Sequence, residues 1–457
     1  MIDRLLFGLG LAVFVFLGGI YVGWHRLPPT AEIQDAFDAA HDWNAHWRSY
    51  LGLKPTKHVR PDRFSGPDMP AKVSPRAQPG VTLLTGMFDQ EVGARLVSLD
   101  GKVVHRWPIR FDRIWSDATH LESSELPLNN WDSMIHGTIL YRNGDLVFNF
   151  SDLGLVRLDR CAEVVWRLPY RTHHSAVEND SGNLWVAGLK GMQTAHDPRF
   201  PGLDPPFRDE TILQVSPENG RILREISLLE VIYRSRYEGV LFANGLNLPN
   251  PPGWDVPDPL HLNHVEVLSA ALAPAFPLFE AGDILVSLRN INLVMVIDGE
   301  TLEVKWSQTG PWVRQHEPHF LPNGQISVFD NRRLPNAQAW AGDRPRFASR
   351  ILSIDPNTDR VTALFEGSKA LPFYTEQLGK QQLLANGNLL LTEARAGRAL
   401  EVTPAGEAVW WYVNRYDEKG IAKISQATRY PEDYGNFVSM GCPAAVAGVA
   451  DARAAGP

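Results

Sequence analysis

Between about residues 80 and 430 the chain alternates short apolar runs with polar turns rich in Gly, Asn, Asp and Pro. One half of the pattern is a turn followed by an apolar strand. It occurs as NGDLVFNF at 143–150, SGNLWVAGL at 181–189, AGDILVSL at 281–288, NGQISVFD at 323–330 and NGNLLLTE at 386–393. The other half is a strand, a turn and a strand that often ends in an aromatic residue. Its copies are LVSLDGKVVHRW (96–107), LVRLDRCAEVVWRL (155–168), ILQVSPENGRILREI (212–226), VMVIDGETLEVKW (294–306), ILSIDPNTDRVTALF (351–365) and LEVTPAGEAVWWY (400–412). GVTLLTGMF at 80–88 supplies a degenerate sixth opening. Runs of β-branched and aromatic residues bounded by such turns signal hairpins. Four-stranded units repeated radially make a propeller. The pattern predicts an all-β fold, a six-bladed β-propeller over 80–430, with a C-terminal tail over 431–457. Insertions at about 192–211, 233–260 and 332–347 are expected as loops over one face.

The N-terminus breaks this pattern. Leu5 to Trp24 is an uncharged apolar run of 20 residues, long enough to span a bilayer core as a helix. No small-residue cleavage site follows it, so residues 1–28 are expected to be an uncleaved membrane anchor. Gly19 and Gly23 have the spacing that lets a partner helix of a membrane complex approach closely. Flanking charge does not set the orientation, because Asp3 offsets Arg4 and Arg26 lies on the other side. From Thr30 to Leu51, apolar Ile33, Phe37, Ala40, Trp43, Trp47 and Leu51 recur at three- and four-residue spacing, which predicts an amphipathic helix. A linker from about Pro55 to Pro79 completes a second region, 29–79.

Composition narrows the function. A net charge of −8 without a basic stripe argues against nucleic acid as a partner. Two cysteines without CxxC spacing exclude a thiolate zinc site. Cys161 and Cys442 are either one disulfide in an oxidising compartment or two buried thiols. No phosphate-binding glycine loop appears, and no cofactor is expected.

The histidines follow the repeat. His136, His174 and His316 each lie eight residues before a turn glycine, namely Gly144, Gly182 and Gly324. In the fourth unit, HVEVL from His264 aligns with HSAVE from His174. Four adjacent blades thus place a histidine at the start of the innermost strand, and those positions converge on a propeller axis. HLNH (261–264) and HEPH (316–319) resemble metal chelates, but residues three apart on an extended strand point to opposite faces, so no metal is expected. On the same argument His319 faces away from the axis. Arg289 interrupts an apolar stretch after a strand, either as a surface turn residue or as a clamp for a tetrahedral anion. Asp330 and Asn331 end the strand after the His316 turn.

These residues resemble the bacterial arylsulfotransferase family, periplasmic six-bladed propellers that work without a nucleotide sulfate donor. The resemblance rests on HHSAVENDSGN at 173–183, NHVEVL at 263–268, SLRN at 287–290 and QHEPHFLPNGQISVFDN at 315–331. It implies His316 as the nucleophile, with His174, His264 and Arg289 around the sulfuryl group. His136, His173, Asn331 and Trp312 are then expected to bind substrate, with Trp254 and Trp340 as further stacking surfaces. The implied substrates are an aryl sulfate donor and a phenolic acceptor, and the implied setting is the inner membrane with the propeller in the periplasm. Members of that family carry an N-terminal β-rich dimerisation domain, whereas an anchor and a short helix are expected at this chain's N-terminus, so a homodimer of that type is not expected. The competing reading is a catalytically inactive propeller serving as an interaction subunit of a membrane complex.

Overall fold

Short turns leave consecutive strands no partner but each other, so every repeat folds as a four-stranded antiparallel meander. The computed structural model describes residues 2–24, 30–64, 66–123, 125–203, 205–243, 258–333 and 349–442. Six four-stranded sheets form the blades of a β-propeller. The second to sixth blades begin with the innermost strands Ile135–Leu140, Thr172–Glu178, Leu262–Val267, His316–Phe320 and Lys380–Leu383. The first blade is built differently. Its three outer strands are Val81–Phe88, Glu91–Val97 and Val103–Pro108, and its innermost strand, Ile424–Tyr430, comes from the far end of the propeller. Each innermost strand contacts the next, and the sixth returns to the first, which closes the ring.

The core is divided among the seams. Six buried apolar clusters lie one at each interface between neighbouring blades. The aromatic residues ending the outer strands clasp these seams. Trp107 Nε1 donates to the Gly144 carbonyl at 3.2 Å, Trp166 Nε1 to Pro217 at 2.8 Å, and Trp306 Nε1 to Asp359 Oδ1 at 3.1 Å. Trp410 Nε1 donates to Leu99 at 2.8 Å across the seam between last and first blades. In each case the acceptor is a turn of the following blade, so one side chain buries an apolar ring and satisfies its polar edge.

Outside the blades, α1 (Ile2–Trp24) is solvent-exposed in isolation and long and apolar enough to cross a membrane. The amphipathic segment is α2 (Thr30–Tyr50), whose last turn meets the propeller where Asn129 Nδ2 donates to the Ser49 carbonyl at 2.8 Å. The linker is more structured than its sequence indicates. Val59–Pro61 pairs with Gly420–Ala422, which pairs with Arg415–Asp417, giving a small three-stranded sheet beside the closing strand. The 192–211 insertion is partly strand, because Leu184–Gln193 and Phe207–Val215 extend into it. The 233–260 insertion carries the short helix Glu238–Ala243. Trp254, Trp340 and most of the third insertion lie outside the described residues.

The tail runs through Glu432–Met440, seats Phe437 against His105 and Trp107, and carries a disulfide from Cys442 to Cys161 in the second blade. The thiols are therefore paired. The bond closes a loop with a sequence separation of 281. Replacing Cys442 by Ser is expected to cost roughly 2–5 kcal/mol and to lower the thermal midpoint by several degrees. An unchanged midpoint in calorimetry would show that the clasp contributes nothing.

Candidate active site

In four blades a histidine of the innermost strand pairs opposite the same point of the second strand. His136 faces Asn149, His173 faces Ala187, His264 faces Ser287 and His316 faces Phe329. In the third blade the ladder position thus belongs to His173 rather than His174, because the strand bulges immediately afterwards. A bulge inserts residues that re-aim the chain. The residue after the ladder histidine takes left-handed backbone in three of these blades: Gly137 at φ 51°, His174 at φ 54° and Glu317 at φ 47°. At Gly137 a Cβ would lie 2.6 Å from the Ala176 nitrogen of the next blade, so only glycine fits. In the fourth blade the left-handed residue is His261, at φ 56°, three positions before His264.

That displacement decides which histidines meet. The ring of His174 lies 5.3 Å from His136, 4.9 Å from His261, 5.0 Å from His173 and 6.3 Å from His316, centroid to centroid. His264 is not in this group. Its ring packs on His319 at 4.9 Å, between Glu266 and Glu317. The alignment of His264 with His174 is therefore corrected: His261 occupies the place expected of His264, because the inserted bulge rotates it to the axis. Both HxxH elements split between two clusters, His261 and His316 in one, His264 and His319 in the other. The irregular backbone between the two histidines of each element produces that split, and His319 stands with His264.

His316 is 3 % exposed. Its Nδ1 lies 2.7 Å from Asn331 Oδ1 and 3.1 Å from the Arg314 carbonyl. Asn331 Nδ2 already donates to the carbonyls of Thr375 and Leu378, so its oxygen must face the ring. Nδ1 consequently carries the proton, and Nε2 presents a lone pair that has no partner. Burial, then the Arg289 charge, push the His316 pKa down to about 3, which keeps the ring neutral. Burial likewise lowers His174 and His136, aided by neighbouring histidines and by Lys423 respectively. A narrow cavity reaches His136, His174 and His316, with Asn263, Glu317 and Lys380 in its wall.

A chain of contacts runs beside this cavity. His173 Nδ1 lies 2.9 Å from His174 Nδ1, and His174 Nε2 lies 3.3 Å from His261 Nε2. His261 Nδ1 donates to Asp258 Oδ2. At the other end His173 Nε2 lies 2.9 Å from Glu210 Oε2. Burial lowers His173, but the Glu210 carboxylate outweighs it and the net shift is upward. His261 falls to about 4 through burial and the Arg289 charge, against the opposing pull of Asp258. Burial lowers Arg289 only to about 10, so it remains cationic at neutral pH. Its Nε lies 3.4 Å from Asn290 Oδ1, and Asn290 Nδ2 in turn donates to the Asp258 carbonyl. Trp312 is placed elsewhere. It is 1 % exposed in the seam between fourth and fifth blades and donates Nε1 to the Asn292 carbonyl, so it offers no face to an aryl ring. His261, Asp258, Asn263 and Glu210 complete the site beyond the residues read from sequence. HLNH carried the signal for His261 and Asn263, whereas nothing local marked Asp258 or Glu210.

The axial end of the β-propeller thus gathers neutral imidazoles, a guanidinium and the unbonded Nε2 of His316. A family model described as arylsulfotransferase (ASST) matches residues 137–415, more than half of the chain, and the chain belongs to that family. No curated protein matches it. Among solved structures, a Bacteroides caccae protein of unknown function is 14% identical, with 76% of this chain and 98% of that one covered and a TM-score of 0.45. A streptogramin B lyase is 11% identical, covering 82% and 98%, with a TM-score of 0.38. The Cps50 (Swd1) β-propeller domain of Myceliophteria thermophila is 8% identical, covering 79% and 90%, with a TM-score of 0.37. None of the three carries weight for function.

The neutral histidines link stability to pH. His136, His174, His261 and His316 have folded pKa values below the ordinary histidine value, so the unfolded chain binds more protons as pH falls through about 6.5. Their contribution is complete above that pH and declines below it, each at up to about 1.4 kcal/mol per pH unit. His173 and His264, whose values are raised, act in the opposite sense and offset part of it. Denaturant midpoints are expected to fall clearly between pH 7 and pH 5, and a flat profile would contradict neutral burial of the cluster.

Proposed function

We propose that this arylsulfotransferase-family chain moves a sulfuryl group from an aryl sulfate to a phenol through a sulfohistidine on His316. The observation that carries this reading is the oriented Nε2 lone pair of a neutral, buried imidazole. In the first half-reaction, Nε2 attacks sulfur and the bond from sulfur to the aryl oxygen breaks. The leaving aryl oxygen takes a proton from the His173–His174–His261 chain, which holds one on the carboxylate-backed His173. In the second half-reaction the acceptor phenol returns a proton to that chain, its oxygen attacks sulfur, and the N–S bond breaks. Two steps of this kind give ping-pong kinetics and need no nucleotide donor. Arg289 and the His136 ring flank the sulfate oxygens, where a fixed cation stabilises the charge that develops in transfer. Asn331 acts as a positioning residue by holding the His316 tautomer. Helix α1 serves as the inner-membrane anchor with the propeller in the periplasm, a placement supported by the helix's length and the disulfide.

Incubation with 4-nitrophenyl sulfate and a phenol should release 4-nitrophenol only when the acceptor is present. His316→Ala is expected to lose at least about three orders of magnitude in rate, and Arg289→Ala about two to three. Without acceptor, the wild-type protein should gain about 80 Da on His316. Folded wild-type protein that neither turns over nor takes up this mass would overturn the mechanism and favour an inactive interaction subunit. His264→Gln is expected to be much less damaging than His261→Gln, a ranking that a direct comparison of kcat/KM would check.

A further inference from the structure

Beside the reaction site, the innermost strands of the fourth and fifth blades carry a second set of converging side chains. Residues 264–266 read His-Val-Glu and residues 317–319 read Glu-Pro-His. On the regular strand of the fourth blade, residues two apart share a face, so His264 and Glu266 point together, while in the fifth blade the bulge after His316 brings Glu317 beside His319. His319 Nδ1 lies 2.7 Å from Glu266 Oε2, and His264 Nε2 lies 3.5 Å from the same oxygen. Glu317 closes the group, with Oε2 3.3 Å from His264 Nδ1 and Oε1 3.7 Å from His319 Nε2. One donor atom from each of His264, Glu266 and His319 lies within 4.8 Å of the others.

The independent sign of a ligand is His264 itself. It is 0 % exposed, yet neither ring nitrogen makes a hydrogen bond; the carboxylates stand near but off line. Buried polar groups rarely stay unsatisfied, and an imidazole flanked this way lacks a partner on its lone-pair axis. Lys380 neutralises Glu317 through contacts at 2.7 and 2.6 Å, which leaves Glu266 as the one carboxylate serving two imidazoles. Two imidazole nitrogens and a carboxylate oxygen are a donor set suited to a first-row divalent transition metal, tetrahedral with a fourth position open. Ligand bonds of about 2.0–2.2 Å place tetrahedral donors roughly 3.4 Å apart, and the donors here stand 2.7 Å, 3.5 Å and at most 4.8 Å from one another.

We propose that His264 Nε2, Glu266 and His319 Nδ1 bind a divalent transition-metal ion, with water in the fourth position and Glu317 beside the far nitrogens of the two imidazoles. The site is distinct from the His316 centre and goes beyond the sulfuryl-transfer reading. The ion would tie the fourth blade to the fifth at His319, three residues beyond His316, fixing the strand that carries the proposed nucleophile.

The test uses the full-length protein in detergent, stripped with chelator and then given Zn²⁺ or Co²⁺. Wild type, His316→Ala and His261→Ala should each retain about one equivalent by elemental analysis, and the Co²⁺ form should show tetrahedral visible bands. His264→Ala and Glu266→Gln should weaken binding by at least about tenfold. His319→Gln, at a partly exposed position, keeps the test decisive if the buried variants fail to fold, and should show the same loss. Folded wild-type protein that retains no ion would overturn the proposal, as would undiminished binding in His319→Gln. Loss of the ion in His261→Ala alone would move it to the Glu210–Asp258–His261 group and equally overturn the assignment.

Discussion

Everything at the axis follows from the cost of removing ionisable groups from water. Six innermost strands converge until a glycine is forced at position 137, and the side chains at their start lose solvent together. A charge in such a place survives only with a partner. Glu317 has Lys380, Glu393 has Arg63 and Arg398, and Asp258 has His261. Imidazoles without a carboxylate, His136, His174 and His316, stay neutral instead. The same desolvation that penalises charge leaves His316 a neutral imidazole at any physiological pH. The chemistry of the site is thus a by-product of how tightly the ring closes.

Much of the architecture was legible because propeller repeats are written in local terms. The turn glycines 144, 182, 282, 324 and 387 and the strands following them lie in one repeating frame, and the blades appear where that frame puts them. The seam tryptophans were visible as recurrent aromatic ends. What local pattern cannot show is a long-range partner. The strand Ile424–Tyr430 that closes the first blade pairs with Val81–Phe88 from the other end of the propeller. Val59–Pro61 looked like linker because three residues of strand have no periodicity to detect.

The site was legible to about the same depth. His136, His174 and His316 stand together, but His174 reaches the others through the bulge after His173 and not by sharing their ladder position. His264 does not join them, because counting residues assumes a regular strand and the bulges are irregular in length. Two inserted positions after His173 and one between Leu262 and His264 are enough to exchange which imidazole reaches the axis. Trp312 failed for a different reason. An indole beside a loop is equally suited to a binding face or a seam, and the carbonyl of Asn292 selects the seam.

The tail clasp has a kinetic consequence. A propeller closed by its last strand is held there by one noncovalent pairing, and loss of Ile424–Tyr430 would leave five complete blades and a three-stranded first blade with a bare edge. Cys442 lies only 12 residues beyond Tyr430, and its bond to Cys161 holds it on the neighbouring blade. A detached closing strand therefore cannot diffuse away; it remains at the high effective concentration of a short tether. Reclosure is intramolecular and fast, and the exposed edge has little time to find another chain.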